Sequence, residues 1–100
     1  MFTNNVNVTV EDFSDGLASY DEISIREFRQ AGIDLIDHQM TSAFAQYEYR
    51  TRMMGRDLHL YQRVLSTDTK VYLITATVSS DEWEEYEDAA KSIVNSFSIE

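Results

Sequence analysis

The sequence predicts an α+β domain in which two helices pack on an antiparallel β-sheet. Three observations lead to this prediction. Valines alternate with polar residues near the start, apolar residues recur at helical spacing in two segments, and three strand-like stretches lie between those segments. Because consecutive strands joined by short turns pair antiparallel, the predicted order β-α-β-β-β-α is typical of α+β architecture.

The first predicted strand and helix are separated by a turn. Valine alternates with polar side chains over residues 6–10, as in a strand with one buried face. The polar cluster at residues 12–16 predicts the turn. Apolar residues then recur at three- and four-residue steps, so we expect a helix from Ser19 to about His38. Gly32 lies inside that helix, where close packing against the sheet would explain it.

Three further strands and a closing helix complete the predicted fold. The strands over residues 44–53 and 58–65 alternate and are joined at Gly55, which suits a hairpin turn. Residues 71–78 are apolar on both faces, which indicates a central strand. The closing helix follows Ser79. Its apolar residues recur at helical spacing and are Trp83, Tyr86, Ala90, Ile93, Val94 and Phe97.

Composition limits the classes of protein to which this chain can belong. Its 100 residues carry 18 acidic and 8 basic side chains, a formal net charge of −10, and 43% of them are hydrophobic. This hydrophobic share can form one domain over residues 1–100 and is too high for an acidic disordered chain. No apolar run approaches the roughly 20 residues of a membrane helix. We therefore expect no direct membrane insertion, and the negative charge argues against binding to nucleic acid.

Charge is distributed unevenly along the chain. Residues 81–88 carry six acids and no base, whereas four of the six arginines lie between residues 50 and 63. A basic hairpin in an acidic chain could meet an acidic partner or a second copy. The candidate interaction surface on this hairpin consists of Arg50, Arg52, His59, Tyr61 and Arg63. The alternative is that these charges pair locally with Glu48 and neighbouring acids of the sheet.

No convergent set of catalytic or metal-binding residues is visible. Asp34 and His38 lie four residues apart on the predicted first helix and could present two ligands, but the other histidine, His59, belongs to a distant strand. The chain has no cysteine and no G-x-S-x-G elbow, and the acids of residues 81–88 are typical of a solvated helix face. We predict no catalytic residue, no metal and no cofactor. A small enzyme or metal protein around Asp34 and His38 is the weakest alternative.

Three segments, in order, resemble the PsbP-like superfamily. Residues 5–10 are similar to its early N-V-x-V strand, and residues 55–62 with 71–77 are similar to its central hairpin. Residues 90–97 are similar to its closing helix, which typically finishes in I-x-x-S-F. The superfamily includes the PsbP proteins of photosystem II, DcrB-like bacterial lipoproteins, Eag-type secretion chaperones and a Ran-binding import factor.

The resemblance implies a non-enzymatic module that binds or assembles proteins through a sheet face or edge. The alternative that it implies is a cytoplasmic Eag-type chaperone or adaptor for a secreted effector, with a concave apolar face and a dimeric state. Relatives usually have a strand, often containing a proline, before N-V-x-V, whereas this chain has no proline. We therefore expect a free sheet edge that a partner or a second copy could extend, and a homodimer is one such outcome. The chain is expected in the cytoplasm as it stands, or as an exported lipoprotein domain if another segment precedes it.

Overall fold

A five-stranded antiparallel sheet with one helix on each face makes up the computed structural model, which describes residues 3–99. The elements in chain order are β1 (Asn5–Asp12), α1 (Leu17–Ala31), β2 (Asp34–Met40), β3 (Ala45–Met53), β4 (Arg56–Ser66), β5 (Lys70–Ser79) and α2 (Trp83–Asn95). A single 3₁₀ turn, Ser80–Glu82, connects β5 to α2. Neither helix among these residues has the length and apolar content that a membrane crossing requires.

The strand order within the sheet is β1-β5-β4-β3-β2, and every neighbouring pair is antiparallel. The α+β prediction is therefore confirmed. As predicted, the apolar segment of β5 has a strand on each side. The two edges of the sheet are β1 and β2.

The sheet contains one strand more than the sequence pattern predicted. The first helix ends at Ala31 instead of His38, because Gly32 adopts a left-handed conformation with φ 68° and its N–H donates to the carbonyl of Arg29. Gly32 therefore terminates the helix and does not lie inside it. The residues after it form β2, in which the register shifts between Leu35 and Asp37. This irregularity removes the simple alternation by which a strand is recognised.

The two helices cover different parts of opposite sheet faces. On one face, α1 packs over β2, β3 and β4, with Phe28 against Tyr47 and Tyr49. On the other face, α2 packs over β4, β5 and β1, with Trp83 and Val94 in the core. Because the helices are offset, neither covers a whole face, and α2 lies nearest to the edge formed by β1.

Candidate functional site

Two of the five side chains predicted to bind a partner lie beneath α2. His59 and Tyr61 are only 6% and 3% exposed, because the odd-numbered residues of β4 face that helix. The ring of His59 stacks on Trp83 with 3.8 Å between centroids, and the hydroxyl of Tyr61 donates to Oδ1 of Asn95 over 2.9 Å. The expectation that these two side chains are accessible on a hairpin surface is therefore wrong. They join α2 to the sheet.

The three arginines of the predicted surface all have local partners. Arg50 pairs with Asp34, Arg52 with Asp57, and Arg63 with Gln46 while its guanidinium lies over the ring of Phe44. This arrangement matches the alternative of local pairing, although the partners differ from the expected Glu48. Arg50 and Arg52 are exposed, and their contact with another molecule stays a prediction.

A partly buried ionic cluster fixes α2 to β3 and β4. Glu48 accepts from Nε2 of His59 over 2.8 Å through one carboxylate oxygen and from Nζ of Lys91 over 3.1 Å through the other. Lys91 also contacts Glu87 at 2.7 Å, and this hydrogen bond is the largest cause that raises the lysine pKa. Both oxygens of Glu48 are thus occupied within the chain, and the cluster is best explained as a clamp between helix and sheet.

A second polar cluster fixes α1 to the opposite face. Oδ1 of Asp21 accepts from the hydroxyl of Tyr47 at 2.6 Å and lies 2.8 Å from Nε2 of His38. Tyr47 is fully buried, and its burial together with the hydrogen bond to Asp21 raises the pKa of the phenol. The rings of His38 and Tyr47 are nearly parallel, with 5.5 Å between centroids. This cluster connects the helix to β2 and β3.

The predicted helical pairing of Asp34 with His38 is wrong. Both residues belong to β2, on either side of the register shift, so they do not share a helix face. His38 pairs with Asp21, and Asp34 pairs with Arg50. Across residues 3–99, no three histidine, aspartate or glutamate side chains are grouped to hold a metal ion.

The two edge strands differ in regularity. β1 pairs with β5 over eight consecutive residues, from Asn5 opposite Thr77 to Asp12 opposite Lys70, without a register shift. No strand in the described part of the chain pairs with its outer side. A long regular edge of this kind is a template for another strand. β2 instead carries an irregularity at Ile36.

An apolar groove runs between β1 and α2. It consists of two hollows, one of about 410 Å³ lined by Val6, Tyr86 and Ile93 among others, and one of about 140 Å³ lined by Val8 and Phe97 among others. Several of these side chains are well exposed, including Val8 at 45% and Ile93 at 47%. We refer to these two hollows as the β1–α2 groove.

The groove exists because the apolar stripe of α2 extends beyond the side of the helix that packs on the sheet. Trp83 and Val94 are buried on the sheet, whereas Tyr86, Ile93 and Phe97 remain exposed. The helix lies over β5 and overhangs β1, beyond which no further strand lies among residues 3–99. The helical spacing of the sequence predicted the stripe but did not divide it into buried and exposed residues. The width of that stripe was the available signal, since a helix needs only part of it to pack on one sheet.

The groove is acidic at the end where β1 begins. Asn4 donates from its side chain to Glu82 over 3.4 Å and accepts from the backbone N–H of Ser79, which places Glu82 beside the start of the strand. Glu85 lies three residues further along and therefore on the same side of the chain. At the other end, Asp12 pairs with Lys70 at 2.6 Å, and this hydrogen bond lowers the pKa of the carboxyl.

A third hollow, of about 640 Å³, lies on the α1 face where that helix does not reach. Met53 and Met54 form one wall, and Leu58 and Leu60 form part of the floor. The β3–β4 turn positions the methionines, because Met54 and Gly55 both have positive φ as a tight hairpin turn requires. Met54 is fully exposed. This hollow is more polar at its β1 side, where Asn5 and Asn7 line it.

Comparison with known proteins agrees with this architecture. The family model PsbP matches residues 2–99. The chain is similar to the crystal structure of PA94, a Pseudomonas aeruginosa protein of unknown function described as a candidate regulator, with TM-score 0.75, 15% identity, and coverage of 100% of this chain and 86% of that one. It is also similar to the solution structure of cyanobacterial PsbP (CyanoP) from Synechocystis sp. PCC 6803, with TM-score 0.70, 13% identity, and coverage of 97% and 68%. Curated protein sequences give no match.

The two structural neighbours show a shared fold at low sequence identity, and the family match extends over nearly the whole sequence. Both agree with the resemblance noted from the three sequence segments. The chain belongs to the PsbP family.

Proposed function

We propose that this chain is a non-enzymatic protein-binding module, and that its partner binds along the outer edge of β1 and over the β1–α2 groove. One observation carries the proposal. A regular strand edge, unpaired within residues 3–99, lies directly beside exposed apolar side chains of α2 and of the segment after it, including Ile93 and Phe97. A strand edge offers backbone hydrogen bonds and an apolar groove offers side-chain pockets, which together are the requirements of strand addition.

The polar clusters support a binding role better than a catalytic one. The two acid–histidine pairs, largely buried Glu48 with His59 and more exposed Asp21 with His38, are each used to hold a helix on the sheet. General acid or base chemistry requires such a group to reach a proton of the substrate. His59 is stacked beneath Trp83 and is not available in this way.

Site-specific photo-crosslinking in the native cells tests this function. A photoreactive amino acid placed at Val8 or Ile93 should give discrete adducts with a partner protein. The matched control positions are Ile36 on the other edge strand and Ile23 on α1, which have similar exposure, 42% and 37%, and should give no such adduct. Equal labelling at all four positions, or labelling only at the control positions, would exclude β1 as the binding edge.

A second candidate function is a chaperone or adaptor that shields apolar segments of another protein. The hollow beside Met53 and Met54 favours it, because exposed methionines adapt to varied apolar ligands. In that case the double variant Met53→Glu, Met54→Glu should lose the ability to keep an apolar peptide from aggregating, as followed by light scattering. Val8→Lys should retain that ability. The reverse result would favour the β1 edge.

A further inference from the structure

The shape and charge of the β1–α2 groove indicate which kind of ligand would fit it. Building on the proposed function, we infer that the groove binds an extended segment of another protein with apolar side chains at alternate positions and a lysine or arginine at the end that lies beside Asn5. The segment would become a sixth strand, next to β1. Three features of the groove determine this description: the spacing of its hollows, the difference between the two faces of β1, and its charge.

The spacing of the hollows matches the repeat of a strand. Val6 lines the larger hollow and Val8 lines the smaller one. Residues two apart in a strand point to the same face and are separated by about 7 Å. Side chains i and i+2 of an added strand would therefore enter successive hollows, and the larger hollow can take the larger side chain.

The two faces of β1 require opposite chemistry from the added strand. On the α2 face, Val6, Val8 and Val10 alternate along the strand beside the groove. On the other face, the side chains are polar and exposed, including Asn7 and Thr9. A segment that alternates apolar with polar residues fits both faces at once, whereas an apolar run would expose half of its side chains.

The acidic side chains beside the start of β1 determine which type of residue the ligand would carry at that end. Glu82 lies beside the start of β1, and Glu85 is on the same side. The nearest lysine of α2, Lys91, is directed to the other flank of the helix, where it contacts Glu48 and Glu87. A basic residue of the ligand at this end would therefore meet two carboxylates that Lys91 does not reach.

The same charges argue against a second copy as the occupant. In an antiparallel pair of two β1 strands, the end that carries Glu11 and Asp12 would lie level with Glu82 and Glu85 of the other copy, with Asp12 on the α2 face and Glu11 on the α1 face. Lys70 neutralises the charge of Asp12. Glu11 keeps its negative charge, because its hydrogen-bond partner is the neutral hydroxyl of Tyr20. Each copy also has a net charge of −10. Like charges at both ends of the pair oppose self-association.

Selection from a displayed library of random eight-residue peptides on the intact chain tests this inference, with counter-selection on Val8→Lys. We expect enriched peptides to alternate apolar with polar residues and to carry lysine or arginine at one end. Such peptides should bind Glu82→Lys, Glu85→Lys about fivefold more weakly, as two exposed ion pairs allow. The control variant Glu84→Lys, Asp88→Lys makes the same change of net charge. Its two positions are each two residues from Tyr86 and therefore lie on the opposite side of α2. This variant should alter binding by less than about twofold.

The outcomes separate this inference from the proposed function. Val8-dependent peptides without a basic end, or with unchanged affinity for Glu82→Lys, Glu85→Lys, would overturn the ligand description and leave β1 as the binding edge. Sedimentation that finds a dimer lost in Val8→Lys would do the same, with a second copy as the occupant. A selection that yields no Val8-dependent peptide would overturn both.

Discussion

The two edge strands occupy equivalent places, each two strands from β4, yet only β1 pairs with its neighbour without a register shift. β2 has a register shift at Ile36 and carries the charges of Asp34 and Asp37, and bulges and charges are common means of protecting an edge. β1 pairs with β5 over eight residues without a register shift, and its charges, Glu11 and Asp12, are confined to its last two residues. The contrast indicates that protection is arranged locally, strand by strand, and it supports the proposal that β1 is the binding edge.

The helices reinforce the contrast. α1 places Asp21 against His38 of β2, so the helix supports the edge that is already protected. α2 is clamped on its other flank, where Lys91 reaches Glu48 of β3. The flank of α2 that faces β1 has exposed apolar side chains instead, among them Ile93. A helix fixed on one flank can hold a groove open on the other without further support.

The largest effect is expected from removing the indole that joins α2 to the sheet. Trp83→Ala should lower the free energy of unfolding by about 3–5 kcal/mol, because it deletes a buried aromatic side chain and its stack on His59. Phe97→Ala is the matched control at an exposed aromatic of the groove and should change stability much less. Urea unfolding followed by circular dichroism measures both. Similar losses for the two variants would show that the groove wall is itself part of the core.

A smaller effect is expected at the clamp that supports β2. Asp21→Ala leaves the buried hydroxyl of Tyr47 without its acceptor and should cost about 1–3 kcal/mol. The double variant Asp21→Ala, Tyr47→Phe removes both partners and should recover part of that loss, as a urea double-mutant cycle would measure. Additive losses would mean that Asp21 does not act through Tyr47.

How far the sequence could predict these features depends on whether the signal is local. The alternating valines of β1, the apolar β5 and the stripe of α2 each predict the type of their element, because the period of the apolar residues is regular there, although Val8, Val10 and Ile93 remain exposed. β2 was missed because its register shift removes the alternation and because Gly32 ends the helix by its left-handed conformation.

The candidate site was harder to predict than the fold. Accessibility of His59 and Tyr61 depended on which face of β4 the second helix covers, and this is a property of packing between distant segments. The width of the α2 stripe signalled that part of it would stay exposed, but the position of that exposed flank was unpredictable for the same reason. Its position follows from the offset of the helix on the sheet, which no single segment encodes.

The dependence of stability on alkaline pH tests the polar cluster of Asp21 and Tyr47 that holds α1 on the sheet. The pKa of Tyr47 is raised above its ordinary value of 10.0 by burial and by Asp21, so the folded state keeps the phenolic proton after the unfolded state has lost it. Stability from this group is complete below pH 10 and declines above it, by about 1.4 kcal/mol per pH unit for one such group. Tyr47→Phe should therefore show a shallower decline of stability between pH 10 and the alkaline unfolding transition. An unchanged slope would show that other groups, such as Lys91, dominate the decline.

The smallest effect on stability is expected from the exposed ion pairs of the two edges. Lys70→Ala removes the partner of Asp12 on the β1 side, and Arg50→Ala removes the partner of Asp34 on the β2 side. Both pairs are solvent-exposed, so neither variant should move the midpoint of urea unfolding measurably.

The effect of the two variants on ligand selection should differ, because Lys70→Ala leaves the far end of β1 as acidic as its start. Peptides selected on that variant should carry basic residues at both ends, whereas Arg50→Ala should select the same peptides as the unmodified chain. Identical peptides from all three chains would show that the charges at the ends of β1 do not choose the ligand.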